Sequence, residues 1–402
     1  MNILIVSHLY PTPDDTVCGI FVHEQAQALA KRGHEIRVIS PTPYVPYVPY
    51  IPYLPNRWAR FSDTPNRAYI DGINIQYPKY LSLPSHRTLP LVAKSVRRTV
   101  TKAISKLESS GFSPDVINAH VPLPDGYACI PSSRHLNTPI VTTVHGNSIY
   151  NSAKNIICRR QIRSTFEASS EIIYNSSILK SRSESYFPDV RNTNVLHNGI
   201  PLDRVESAPK ADLSDIFPED RAVISSLGYL IERKNHSDVI SAITEIEPEE
   251  RPYYLIIGNG PNREALEHQV KNNGLSEYVH FTGFVPEHLD VLSKLKSTDI
   301  MALPSTDEAF GIAYIEAMAC GSPVIGCDGE GPSDFVKDGE TGYLVPANDP
   351  SAIADLLQEL SEDKDKLDRM GAAAREYVLE NLTWEENARR NEEIYQRAIE
   401  QF

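Results

Sequence analysis

MNILIVSHLYPTPDDTVCGIFVHEQAQALAKRGHEIRVIS, residues 1–40, is the stretch that points to the fold. Ile3–Ser7 is a short apolar run entering a loop, Leu9–Val17. Helical spacing follows over Phe21–Arg32 and stops at Gly33, a C-cap residue. His34–Ser40 is the next strand. Strand, loop, helix, strand is the opening of a doubly wound α/β sheet. Gly19 stands where a helix N-terminus lets backbone N–H groups approach a phosphate, although a lone glycine also simply turns a chain. No G-x-G-x-x-G follows the strand, which counts against a dinucleotide cofactor. MNILIVSHLYP lacks a basic n-region and an A-x-A-like site, so a buried strand is expected rather than a signal peptide.

The same alternation continues outward. Val116–Asn118, Ile140–Val144 and Ile172–Tyr174 are further apolar runs of the first half. Ala222–Leu227, Tyr254–Ile257, Val279–Phe281, Ile300–Leu303 and Pro323–Gly326 repeat the scheme in the second. The 402 residues are too many for one ordinary core, and two α/β domains joined near Gly199–Asp203 are expected. The boundaries are 1–199, 200–380 and a closing helical segment, 381–402, whose Trp384–Ile399 is charged and amphipathic. An apolar fraction of 41% and a charged fraction of 23% exclude a largely disordered chain. No run of 18 apolar residues occurs, so no spanning helix is expected. Five cysteines without a C-x-x-C pair point to reduced thiols in a cytosolic protein and to no zinc knuckle.

Net charge is unevenly spread. Residues 1–199 hold 21 Lys and Arg against 13 Asp and Glu, whereas residues 200–402 hold 18 against 40. Residues 56–110 alone carry ten basic and three acidic side chains. An anionic surface would fit this segment, and so would a merely solvated face. Just before it, Pro43, Pro46, Pro49, Pro52 and Pro55 alternate with Tyr44, Tyr47, Tyr50 and Tyr53. Polyproline II repeats every three residues, so the tyrosines would form a ridge, suited to a membrane interface, a sugar or peptide surface, or a plain spacer. Leu89–Leu107 is a basic amphipathic helix: Leu91, Val92, Val96, Val100, Ala103, Ile104 and Leu107 form one stripe, which can lie on lipid or pack on a sheet.

The chemistry concentrates at Pro304–Pro323, PSTDEAFGIAYIEAMACGSP. Glu308 falls at a strand's carboxyl end, where α/β folds bind ligands. The amides of Phe310, Gly311, Ile312 and Ala313 form a helix N-terminus, ready for an anion. Glu316, inside the helix, is acceptor-only and suits two adjacent ribose hydroxyls. Lys234, with Arg233 beside it in GYLIERKN, can hold a diphosphate as a point charge or stand as an exposed basic pair. His120 and His145 follow two strands of the first half, a placement that favours function over packing.

These residues resemble the retaining glycosyltransferases of the GT-B fold, family 4 type. The resemblance spans nearly the whole chain and rests on EAFGIAYIEAMACGSPVIG, LGYLIERKN, IIGNGPNREALE, FTGFV, the HGN at His145–Asn147, LHNGIPLDR and GEGPSDFVKDGETGYLVPANDP. It implies two Rossmann-like domains facing across a cleft, with the last helix packing back toward the first. It implies transfer of a hexose-type sugar from a nucleotide diphosphosugar, with retention, no cofactor and generally no metal. Position by position, Lys234 matches the lysine on the donor diphosphate, Glu316 the ribose glutamate and Glu308 the glutamate beside the transferred sugar. Phe310–Ala313 match the backbone amides at the diphosphate, Gly19 the loop glycine of the first domain, and His120 the cleft histidine. Val285 falls where backbone groups meet the base.

The chain departs from the family pattern at Tyr229, where an arginine is frequent, leaving Arg233 as the second cation. Asn147 replaces a frequent Asp, His197 a frequent Pro and Asn235 a frequent Gly. The implied acceptor is a glycan or polyprenyl-linked glycan of polysaccharide, envelope or glycoprotein glycan synthesis, with an anionic membrane surface met through residues 43–110 and no nucleic acid. The implied location is cytoplasmic, peripheral on the inner face of the plasma membrane. A GT-B nucleotide-sugar epimerase and a non-catalytic binding protein are the alternatives.

Overall fold

The computed structural model describes residues 1–44, 61, 63–82, 88–146, 148–218 and 221–402. It divides into two compact units, Met1–Gly199 with Trp384–Phe402, and Ile200–Thr383. The closing helix runs from Trp384 to Gln401. Residues 381–383 therefore finish the second unit instead of opening the last segment: Ile200 N–H donates to the Leu382 carbonyl at 3.0 Å, and Ile200 bridges Thr383.

The strands of the first unit are β1 (Asn2–Val6), β2 (Glu35–Ile39), β3 (Thr42–Pro43), β4 (Arg67–Ile70), β5 (Ile73–Gln76), β6 (Lys79–Tyr80), β7 (Val116–His120), β8 (Ile140–Val144), β9 (Ser169–Tyr174) and β10 (Thr193–Val195). Eight of them form one sheet in the order β10-β9-β8-β7-β1-β2-β5-β4, and β3 pairs with β6. All pairs are parallel except the hairpin β4–β5. That hairpin lies inside the segment expected only to be basic; Asp71, with φ 46°, and Gly72 make its turn. The apolar run of β1 is buried because β1 lies between two parallel neighbours with helices on both faces.

The helix Leu89–Ser109 buries Ala93, Val96, Val100, Ala103, Ile104 and Leu107 against β1, β2 and β7 side chains. Its stripe is thus consumed by the core, and the lipid-lying alternative fails for that face. Leu91, expected in the stripe, is exposed, while Lys94, Arg98, Lys102 and Lys106 face solvent. Of the Pro–Tyr repeat only Pro43 and Tyr44 are described; Tyr47, Tyr50 and Tyr53 and the prolines between them lie outside the described residues. The closing helix completes this unit by placing Trp384, Ala388, Ile394, Tyr395 and Ala398 in the core formed by β1, β2 and the helix Ile20–Lys31. Gln25 Nε2 donates to Asn387 Oδ1 at 2.9 Å, and Trp384 Nε1 to Glu24 Oε2 at 2.8 Å.

The second unit has β11 (Val223–Leu227), β12 (Tyr253–Ile257), β13 (Val279–Gly283), β14 (Ile300–Ala302), β15 (Val324–Cys327) and β16 (Gly342–Val345). Their order is β13-β12-β11-β14-β15-β16, all parallel. This is the doubly wound order, in which the direction of winding reverses between β11 and β14. Both units are thus Rossmann-like, in agreement with the expected α/β class. Among the described residues, no helix is long and apolar enough to cross a membrane.

Candidate active site

Reversal of strand order opens a crevice at the carboxyl ends of the two strands that flank it. In the second unit these strands are β11 and β14, and the loops that follow them carry Lys234 and Glu308. The loops are joined by hydrogen bonds. Thr306 N–H donates to the Arg233 carbonyl at 2.8 Å, and Asn235 Nδ2 to the Pro304 carbonyl at 2.9 Å. Asn235 adopts φ 51°, a left-handed conformation that asparagine tolerates, and so turns the chain from Lys234 into the helix His236–Glu245.

Within this frame Lys234 Nζ meets Glu308 Oε2 at 2.5 Å, and Arg233 NH1 lies 3.8 Å from the same oxygen. The Lys234 and Glu308 side chains are only 12% and 11% exposed, so their charges are poorly shared with water. Glu308 is fixed at its backbone as well. Its N–H donates to Glu330 Oε2 at 2.9 Å, and its carbonyl accepts from Gly331 N–H at 3.0 Å. The loop after β15 therefore clamps the loop after β14.

Gly311 precedes the helix Ile312–Ala319 with φ 96°. A Cβ there would lie 2.5 Å from the Tyr314 ring, so only glycine fits. Tyr314 is fully buried and its hydroxyl donates to the Leu303 carbonyl, tying the helix start to the strand end. The first-turn N–H groups, at Ile312 and Ala313, have no acceptor within the helix. Two cations thus meet one carboxylate, and the start of the helix lies beside the same side chain, an arrangement that suits an anion. Phe310 is buried against Phe335, so its side chain serves packing. Glu316, one turn along, accepts from His288 Nε2 at 2.8 Å. Val285 follows β13, the outermost strand, and packs partly buried on the core.

The first unit reverses its winding between β1 and β7. His120 ends β7 and His145 follows β8. Their rings stack at 5.0 Å between centroids, and His120 Nδ1 lies 2.7 Å from His145 Nε2. One proton serves that bond. Burial, aided by His145, holds His120 well below the usual histidine range, and burial lowers His145 to about 3. Both are neutral near pH 7. The Phe21 ring lies 4.7 Å from His145, which brings the start of the helix Ile20–Lys31 to the pair. Gly19 caps that helix with φ 71°, and a Cβ there would fall 2.4 Å from the Leu9 backbone, so close packing already requires a glycine. Asn147 lies outside the described residues.

His8 and Asp125 also occupy this switch point. Asp125 is fully buried and its Oδ2 meets His8 Nδ1 at 2.9 Å. Burial alone would lower the His8 pKa; the Asp125 charge and hydrogen bond outweigh it and raise it. Neither residue was singled out from the sequence, although His8 follows β1 as His120 ends β7. The strand-end rule applied to every strand would have found it.

Two family models match the chain: Glycosyltransferase Family 4 over residues 19–204 and Glycosyl transferases group 1 over residues 211–377. The chain belongs to the family 4, group 1 glycosyltransferases. The enzyme is 26% identical over 385 residues to the N-acetyl-alpha-D-glucosaminyl L-malate synthase of Bacillus anthracis, covering 94% of this chain and 93% of that one. It is 29% identical to a GDP-mannose-dependent alpha-(1-6)-phosphatidylinositol monomannoside mannosyltransferase of Mycolicibacterium smegmatis, over 63% of this chain and 69% of that one. Among solved structures, sucrose-phosphate synthase from Thermosynechococcus elongatus superposes with a TM-score of 0.80 at 20% identity, covering 100% of both chains. The fold is GT-B, and this glycosyltransferase transfers sugars from nucleotide sugars.

Proposed function

We propose that the enzyme is a retaining hexosyltransferase that binds the diphosphate of its donor at Lys234, Arg233 and the first turn of Ile312–Ala319. The observation that carries this is the Lys234–Glu308 pair at the switch point, 2.5 Å long and nearly buried. As the glycosidic bond to the nucleotide breaks, the sugar carbon gains oxocarbenium character and the leaving phosphate gains negative charge. Lys234 and the helix amides stabilise that charge without rearranging. Glu308, pulled toward the cations when no diphosphate is near, is released toward the sugar when one binds. The leaving phosphate takes the acceptor's proton on the same face, so no protein nucleophile is needed. Glu316 accepts from the ribose hydroxyls, and Val285 lies beside the base.

In this reading the charge needs no metal, so a chelator leaves the rate unchanged. In the first unit, neutral His120 with His145 and Gly19 supplies contacts to the acceptor, together with Asn147. The acceptor class is a glycan or lipid-linked glycan. Two relatives are named for acceptors that carry anionic groups, L-malate and a phosphatidylinositol mannoside. The solvent face of Lys94, Arg98, Lys102 and Lys106 supports a peripheral place on anionic lipid.

Thermal shifts with UDP, GDP, ADP and dTDP, with Lys234→Ala beside the wild type, test the donor site. A nucleotide at 100 times its dissociation constant should stabilise by about 2.7 kcal/mol, and the variant should lose the shift. A shift that survives the substitution contradicts the assignment. Donor isomerisation without acceptor would favour the epimerase alternative.

A further inference from the structure

Glu316 is held by a residue to which the donor site assigns no part. The ionised carboxylate only accepts, so His288 Nε2 carries the proton in their 2.8 Å bond. The Glu316 side chain is 13% exposed and that of His288 31%, so the bond competes little with water. Both residues are mounted rigidly. His288 opens the helix His288–Leu295, and Glu316 sits in Ile312–Ala319. These helices bury Val291, Leu292, Leu295, Ile315 and Ala319 in one core, and Cys320 Sγ contacts the Leu292 carbonyl at 3.7 Å.

We propose that His288 is a positioning residue that fixes the Glu316 carboxylate for a ribose diol, and so sets the preference for ribonucleotide over 2′-deoxyribonucleotide donors. The inference rests on the donor-site assignment above. His288 occupies one lone pair of Oε1. That leaves Oε2, and the second lone pair of Oε1, for two adjacent hydroxyls. A carboxylate on an unrestrained side chain would have to be ordered when the nucleotide binds; here the ordering is done beforehand. Selectivity follows because a diol makes two bonds to the fixed carboxylate and a 2′-deoxyribose only one.

Calorimetric titration with UDP, GDP and ADP, each beside its 2′-deoxy counterpart, tests this on the full-length enzyme. For whichever ribonucleotide binds the wild type, His288→Ala should weaken it about tenfold, the worth of one hydrogen bond to a charged group. The 2′-deoxy compound should weaken less, so the preference between them should shrink. His288→Gln, whose amide can donate, should restore most of both. Matching melting temperatures show that each variant folds. Equal weakening of both nucleotides, or no change in either, overturns the proposal. If the wild type binds none of the six, the donor-site assignment itself fails and His288 loses this role with it.

Discussion

The two units solve the same topological problem with opposite electrostatics. At the switch point of the first, burial keeps His120 and His145 neutral, and the one buried carboxylate, Asp125, is matched by a single histidine. At the switch point of the second, full charges are retained and opposed: Lys234 and Arg233 on Glu308. Neutral donors and acceptors suit hydroxyls, whereas fixed cations suit phosphate. Net charge points the other way. The first unit carries 24 basic and 18 acidic residues and the second 15 and 35, yet the cation cluster lies in the second. Summed charge describes the long-range field, and local charge decides which ligand binds.

The sharpest way to break the contrast is Lys234→Ala. It should lower kcat about 10²–10³-fold, the usual cost of removing one preorganised transition-state contact. Glu308→Gln should also abolish transfer, yet keep or tighten nucleotide binding, because the carboxylate no longer competes for Lys234. Steady-state rates with calorimetry distinguish the two; a Glu308→Gln enzyme that loses nucleotide binding would overturn the opposed-charge account.

Gly311→Ala comes next. It combines a left-handed backbone with a 2.5 Å approach to Tyr314 and should destabilise the second unit by about 2–4 kcal/mol. Denaturant melts followed by circular dichroism measure it.

A pH series tests whether the neutral histidines are as buried as they look. The folded pKa of His145 is about 3, below the usual value of 6.5. Between these the unfolded chain binds the extra proton, so stability is complete above pH 6.5 and falls as pH drops toward 3. The slope is at most about 1.4 kcal/mol per pH unit for each such group. His236 in the second unit, also lowered to about 3 by burial and Lys234, should behave alike. Trp384 packs in the core of the first unit, so tryptophan fluorescence follows its transition. A flat profile from pH 7 to 5 would show that water reaches the pair.

Arg233→Ala should do least. Its side chain is 42% exposed and 3.8 Å from Glu308, so a severalfold rise in the donor KM, under about 1 kcal/mol, is expected. A loss equal to that of Lys234→Ala would mean that the diphosphate draws Arg233 inward.

The strands, the loop bearing Glu308 and the helix bearing Glu316 were legible because apolar runs and loop residues are local signals. The contacts that give the site its character were not. His288 lies 28 residues from Glu316, Glu330 lies 22 from Glu308, and Asp125 lies 117 from His8. No period connects such pairs; only the return of parallel strands to one sheet edge does. The hairpin β4–β5 was missed for a different reason. Its strands are four residues each and show no continuous apolar run: β4 alternates exposed with half-buried residues, and β5 buried with half-buried ones. Leu91 was misplaced because periodicity does not say where a stripe ends.

The first unit is written in two pieces, with the whole second unit between Gly199 and Trp384. During synthesis the ribosome releases a complete Ile200–Thr383 while the earlier unit still lacks the helix that seals its core. The second unit can therefore fold first, while β1, β2 and the helix Ile20–Lys31 wait with an apolar face uncovered. A fragment ending at 199 should be aggregation-prone unless residues 384–402 are grafted back, and the last nineteen residues act as the latch of the part made first.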